Sequence, residues 1–346
     1  MHCFWEHSLS GHKGGLMISA KNANMAIYFA DQDYLENFMD YISERNTGFI
    51  CSGFTRSENL KAFAEKNAIA VLLTDDECFK KNARNINSEI TVILTEKPGG
   101  ETGDNIYEID ILQPVDEIVR AILKAAAKTD ITLSNSFMRP AGDIHIFYSP
   151  VGRSLKTTFA VAASQLLSDR SKTIYLNLEP DSGFTVLFRQ DYGTDLSDLM
   201  FFLRDDTHGK ASLMLQSAIC SSQGVSYIPP VTDPGDLFHI SCDEILRLFD
   251  LLRENGYGNI VVDMGTLLPG FEKILSAGSR IYMPVRKDAM SKAKTAHFLS
   301  FLRTLEDTQP EEKLIRLEPP YFEDIPPITS NLRGSEAASY IAGYLM

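Results

Sequence analysis

Ile144-His145-Ile146-Phe147-Tyr148 runs straight into Ser149-Pro150-Val151-Gly152-Arg153-Ser154-Leu155-Lys156-Thr157-Thr158, and an apolar helical stretch then continues to Leu167. The first five residues form an apolar run of strand length, and the residues after Lys156 carry helical periodicity. Strand, loop, Lys-Thr-Thr and helix in that order make the P-loop arrangement. The backbone N–H groups of such a loop and the helix N-terminus hold phosphate oxygens, the lysine adds positive charge, and the first threonine hydroxyl takes a magnesium ion. On this reading Gly152, Arg153, Ser154, Leu155, Lys156, Thr157 and Thr158 line a phosphate, and Thr157 is a metal ligand. Lys-Thr-Thr alone is a common string, so the neighbouring segments decide its weight.

Those segments agree with it. Lys172-Thr173-Ile174-Tyr175-Leu176-Asn177-Leu178-Glu179-Pro180 supplies a second strand with an acidic end. Tyr257-Gly258-Asn259-Ile260-Val261-Val262-Asp263-Met264-Gly265 is an apolar strand ending in Asp263, which suits the acidic Walker B position and a second magnesium ligand. Tyr282-Met283-Pro284-Val285 is a further strand, and Ser291 reads as the start of a helix with Phe298, Phe301 and Leu302 on its apolar face. Ser241-x-x-Glu244 is a capping box, and the helix from Glu244 to Glu254 places Ile245, Leu248, Phe249 and Leu252 on a core stripe. Pro229-Pro230 and Pro319-Pro320 end strands.

Taken together, residues 143–346 resemble the MinD/ParA family of P-loop ATPases. The loop of that family reads Lys-Gly-Gly-x-Gly-Lys-Thr-Thr. Aligned on Lys156, its first lysine falls on Val151 and its glycines on Gly152, Arg153 and Leu155. The family's second strand ends Asp-x-Asp-Pro; here it reads Asn177-Leu178-Glu179-Pro180. The resemblance implies ATP and Mg²⁺ as cofactors, Glu179 and Asp263 as catalytic acids, and a face-to-face homodimer governed by nucleotide. The departures imply weak or absent hydrolysis. The lysine that reaches across the family's dimer is missing; Arg153 either replaces its charge, in its own subunit or across the interface, or points to solvent or to Glu179. Leu155 replaces a glycine that lets backbone approach phosphate. A loop that keeps the shape and holds no nucleotide is the alternative.

The first part of the chain also alternates strand and helix, which means a parallel, doubly wound sheet. Strands are read at residues 26–30, 49–51, 68–73, 90–94 and 106–112. Leu35, Phe38, Met39 and Ile42 mark one helix face, Ser57 is read as the cap of a helix from Glu58 to Asn67, and a last helix spans Val115 to Ala127. Residues 25–128 resemble an atypical receiver domain. Asp31 and Asp33 stand for its acids, Asp75 for its phosphoacceptor and Thr95 for its hydroxyl, while Gln113 replaces the lysine that balances an acyl phosphate. The resemblance therefore implies a binding module without phosphorelay. The bland reading is that the three aspartates are polar residues at strand ends.

The fold class is thus α/β, with a receiver-like, flavodoxin-like domain at 25–128, a linker at 129–142 and a P-loop domain at 143–346. Residues 1–24 lack periodicity and read either as a leader or as sequence upstream of a start at Met17 or Met25. A receiver-like domain ahead of a MinD/ParA-type ATPase is the layout of the TadZ/CpaE proteins of Tad (Flp) pilus assembly. That resemblance implies a localisation or scaffold role in the cytoplasm, with recruitment to a cell pole or membrane-bound complex and pilus assembly and secretion proteins as partners.

Composition narrows the options. The 346 residues carry a net charge of -13, which argues against phosphate-neutralising nucleic-acid binding. The five cysteines have no metal-ligand or redox spacing. No apolar run spans a bilayer, and the tail from Ser335 to Met346 has no Lys or Arg to make a basic membrane helix. A MinD-like membrane switch is disfavoured on that ground, and a metabolic ligase or reductase ATPase lacks a convergent charged cluster.

Overall fold

The computed structural model describes residues 23–44, 47–99, 101–103, 105–129, 131, 142–204, 210–265, 267–305 and 309–345. The leader or late-start expectation for residues 1–22 and most of the expected linker, at 130 and 132–141, lie outside them.

Two mostly parallel sheets follow one another along the chain. The first contains β1 (Asn24–Tyr28), α1 (Gln32–Glu44), β2 (Ile50–Phe54), α2 (Ser57–Ala64), β3 (Val71–Asp75), the short α3 (Asp76–Cys78), β4 (Ile90–Thr95), β5 (Glu101–Gly103), β6 (Ile106–Asp110) and α4 (Val115–Ala127). Its strand order is β2-β1-β3-β4-β6-β5, and every pair is parallel except β5 with β6. Without β5 this is the doubly wound order of flavodoxin-like sheets. The central strands are apolar runs because helices cover both faces, and Val71, Leu72, Leu73, Ile90, Val92 and Leu94 are buried accordingly.

The second part contains β7 (Asp143–Tyr148), α5 (Lys156–Ser168), β8 (Thr173–Leu178), α6 (Phe184–Phe188), α7 (Leu196–Arg204), α8 (Lys210–Ala218), β9 (Cys220–Ser222), β10 (Val225–Ile228), α9 (Pro234–Phe238), α10 (Cys242–Glu254), β11 (Asn259–Met264), α11 (Phe271–Ala277), β12 (Arg280–Pro284), α12 (Ala289–Leu302), α13 (Gln309–Glu312), β13 (Leu314–Leu317) and α14 (Glu336–Ala342). Its order is β13-β12-β7-β11-β8-β10-β9, with β9 alone antiparallel. β11 lies between β7 and β8 in register, so Asp263 pairs with Phe147 on one side and Asn177 on the other. That register brings the ends of the three strands together beside the loop after β7.

The halves share an apolar core. α4 packs on α8, with Ile118, Val119, Ile122 and Leu123 buried in the same cluster as Leu199, Met200, Leu213 and Met214. Lys124 Nζ reinforces the seam by donating to the Gly193 carbonyl at 2.5 Å and to Thr194 Oγ1 at 3.0 Å.

Several sequence expectations need correction. Ser57 does not cap α2: it is the first helical residue, Arg56 holds the cap position, and no side chain accepts there. α12 starts at Ala289, two residues before Ser291, and Asp288 caps it through its carboxylate, which accepts from the Ser291 N–H at 3.0 Å. Phe298 and Leu302 are buried as expected, but Phe301 is 38% exposed. β1 starts at Asn24, two residues before the run read from Ala26, and Ala23 is buried. The capping box at Ser241 and Glu244 forms in full, one turn of hydrogen bonding that opens α10 at Cys242.

Two aspartates of the receiver-like pattern serve the local backbone. Asp31 accepts from the Tyr34 N–H at 2.9 Å and Asp75 from the Cys78 N–H at 2.7 Å. Among the described residues no group of three His, Cys, Asp or Glu could hold a metal. No described helix is long and apolar enough to cross a membrane. The apolar tail is covered: α14 lies on α5 with Ala337, Ala338 and Ile341 buried.

Candidate phosphate-binding site

The loop after β7 is held at its base. Ser149 Oγ donates to the Pro284 carbonyl at 2.6 Å and accepts from the Val151 N–H at 3.1 Å, tying the loop to the end of β12. It then turns through two left-handed residues, Arg153 at φ 55° and Leu155 at φ 66°. These are the positions where the resemblance puts glycine. A non-glycine residue in that region costs about 1–2 kcal/mol, so the chain keeps the curved backbone without the residue that adopts it freely.

The loop delivers an uncapped helix. Leu155 is the N-cap of α5 and offers no side-chain acceptor. α9, α10, α12 and α14 are each capped by an Asp or Ser side chain. The first N–H groups of a helix lack partners inside it, so α5 turns bare donors and the positive end of its dipole toward the loop. Ser154 Oγ is buried in the same turn without a hydrogen-bond partner. In front lies a cavity of about 730 Å³, lined by Tyr148 to Thr158 together with Glu179, Gly265 and Leu267. All seven loop residues expected at a phosphate, Gly152 to Thr158, therefore share one cavity. Arg153 is exposed and, among the described residues, makes no ion pair.

Behind the loop a closed ring of polar side chains engages Lys156. Its Nζ donates to Glu179 Oε1 at 2.8 Å and to Asp263 Oδ1. Tyr175 OH donates to the other oxygen of Asp263 at 2.9 Å, and Asn177 Nδ2 donates to Tyr175 OH at 3.2 Å. Asn177 Oδ1 then accepts from the Glu179 N–H at 2.8 Å, which closes the ring. Asp263 is completely buried. Burial alone would lower the Lys156 ammonium's pKa, but the charges and hydrogen bonds of Asp263 and Glu179 hold it above its ordinary value. Burial, and then the charge of Asp263, push the Tyr175 hydroxyl far up, so it remains a donor.

The ring explains two residues that sequence reasoning left without a role. Asn177 needs both an N–H to give and an oxygen to receive. An amide has both and a carboxylate has only acceptors, so the aspartate expected here from the resemblance would break the ring. Gly265 is required by packing: a Cβ there would lie 2.3 Å from Glu179 Cγ.

The residues fit a phosphate group. The bare first turn of α5, Ser154 and Lys156 all line one cavity, the Ser154 hydroxyl is buried there without a partner, and the volume is in the range of small-molecule sites. Of the two oxygen donors expected for magnesium, Thr157 lines the cavity at the first turn of α5, whereas Asp263 is fully buried, lies outside the cavity lining and has both oxygens engaged in the ring.

No protein-family model matches the chain, and no curated protein does. Solved structures show partial likeness. A ParA family ATPase from Chlorobium tepidum is 15% identical with a TM-score of 0.48, over 59% of this chain and 99% of its own. A plasmid partition protein from Borrelia burgdorferi, bound to AMPPNP, is 13% identical with a TM-score of 0.42, over 59% of this chain and 96% of its own. Cobyrinic acid a,c-diamide synthase from Mycobacterium smegmatis is 14% identical with a TM-score of 0.42, over 59% and 92%. Likenesses of that size carry no argument about what the loop of this chain holds.

Proposed function

We propose that the second half is a MinD/ParA-type positioning switch that binds ATP with Mg²⁺ at residues 152–158, dimerises on binding, and hydrolyses ATP slowly or not at all. The observation that supports it most is the uncapped start of α5, where Lys156 and Ser154, whose buried hydroxyl has no partner, line one cavity. Thr157 and Asp263 would hold the magnesium, which when bound neutralises phosphate charge. Lys156 would give up Glu179 and Asp263 to meet the phosphates, and Arg153, exposed and without an ion pair among the described residues, would add charge at the cavity rim or across a dimer. Slow turnover follows from Asn177, an amide that cannot take a proton as a base where the resemblance puts an aspartate.

The first half acts in this reading as an atypical receiver-like binding module, joined to the switch through α4 and α8. With the layout of the TadZ/CpaE group, the whole chain is a cytoplasmic localisation or scaffold protein of Tad pilus assembly, recruited to a cell pole or membrane-bound complex. Sedimentation with and without ATP and Mg²⁺ tests the switch: the expected result is a monomer that becomes a dimer with nucleotide. A monomer at every ATP concentration contradicts it. The closed ring supports a second reading, a structural pseudo-ATPase in which Lys156 serves the fold alone; that reading requires no nucleotide binding under any condition.

A further inference from the structure

We propose that Glu179 is a resident anion that locks the loop: it occupies Lys156 until a phosphate displaces it, and so sets how tightly nucleotide binds. The inference rests on nucleotide binding at this loop and concerns its regulation. Three observations carry it. Lys156 Nζ is shared between Glu179 and Asp263, so the cation that the phosphates need is already satisfied. The two partners differ in kind. Asp263 is fully buried and held again by Tyr175, whereas the Glu179 side chain is 26% exposed, lines the cavity and has water at hand when it is released. The backbone on either side is shaped to keep Glu179 in place, since its N–H is fixed by Asn177 and its Cγ rests against Gly265.

Charge gives the lock its consequence. Lys156, Glu179 and Asp263 sum to one net negative charge at the place where a triphosphate must enter. A phosphate arriving without a cation meets two carboxylates. One arriving with magnesium brings the charge that compensates them when Lys156 leaves. The lock therefore favours the metal complex of the nucleotide over the free anion, and any contact that draws Glu179 away raises affinity without touching the phosphate ligands.

Two substitutions open the lock in different ways. Glu179→Gln keeps the size and removes the charge. Gly265→Ala leaves the carboxylate intact but crowds Glu179 at Cγ, Cβ and backbone Cα, so the whole residue must shift away from Lys156, and this variant is titrated only after it is shown to be folded. Calorimetric titration of the full chain and both variants with ATP, with and without Mg²⁺, reads the outcome. Each variant is expected to bind ATP·Mg²⁺ about tenfold more tightly, the scale of one charge-assisted hydrogen bond. Glu179→Gln is also expected to bind free ATP better relative to ATP·Mg²⁺ than the parent does. Binding by Glu179→Gln alone, with none by the parent, supports the lock equally. If the parent binds and Glu179→Gln binds equally or more weakly, the lock is wrong while nucleotide binding stands. If neither the parent nor either variant binds, nucleotide binding itself fails and takes the lock with it.

Discussion

Replacing Lys156 by Met keeps most of the aliphatic stem and removes the charge that two carboxylates share. The lysine side chain is 12% exposed, Asp263 is 0% exposed and Glu179 is 26% exposed. Breaking a buried pair by removing one partner costs about 3–5 kcal/mol, because the other charge stays buried and unpaired. Tyr175 continues to donate to Asp263, which puts the loss at the lower end, about 3 kcal/mol. A domain of this size loses roughly 2–4 °C per kcal/mol, so the melting temperature should fall by about 6–12 °C. The paired ammonium titrates above its ordinary value. Its contribution is therefore complete below that ordinary value and fades as pH rises through the raised one, and Lys156→Met should lack this alkaline loss. Thermal unfolding followed by circular dichroism, at neutral and alkaline pH, measures both effects. Adding Asp263→Asn to Lys156→Met should restore part of the stability, since the stranded charge is gone, with a coupling of about 1–3 kcal/mol. A Lys156→Met protein that melts within about 2 °C of the parent would refute the ring as a buried, charged unit.

Arg153→Gly should relieve a left-handed backbone and stabilise the chain by about 1 kcal/mol, while ATP affinity falls about tenfold if the guanidinium meets phosphate; denaturant melts and titration separate the two effects. Glu244 is 6% exposed; burial alone would raise its pKa, but hydrogen bonds from Ser241 and Arg204 outweigh this and lower it to about 2. It therefore adds about 2–3 kcal/mol above its ordinary range, lost as pH falls toward 2, and an acid titration of Glu244→Gln should show a shallower loss. Acetyl phosphate should leave Asp75 unmodified, since its carboxylate caps α3 and Gln113 supplies no charge; a stable phosphoryl group found there by mass spectrometry would contradict the binding-module reading.

What the sequence disclosed was local. The run from Ile144 to Thr158 shows its strand, turn and helix because apolar periodicity and a Lys-Thr-Thr start are properties of neighbouring residues. Glu179 and Asp263 stood out because each ends an apolar strand. The ring did not, since it depends on register: Tyr175 reaches Asp263, and Asn177 reaches Tyr175, only because β8 lies beside β11 with Asn177 opposite Asp263. Gly265 looked like any residue after a strand until Glu179 was seen against it. β5 was missed because a three-residue antiparallel edge carries no periodic signal. The seam of α4 with α8 joins residues far apart in the chain, so no local pattern discloses it. Ser57 was read as a cap and Ser291 as a helix start on residue type alone; Arg56 holds the first place, and α12 begins two residues before Ser291, at Ala289.

The central claim is that the loop at residues 152–158 binds ATP·Mg²⁺ through Lys156. Calorimetric titration of ATP and Mg²⁺ into the parent chain and into Lys156→Ala tests it most directly, with each protein first shown to be folded. The account predicts saturable binding by the parent and a loss of at least tenfold in the variant, the scale of a charged hydrogen bond. Equal affinity in the two proteins would mean that nucleotide binds elsewhere, and no heat from either would mean that the loop keeps the shape of a phosphate site and holds none.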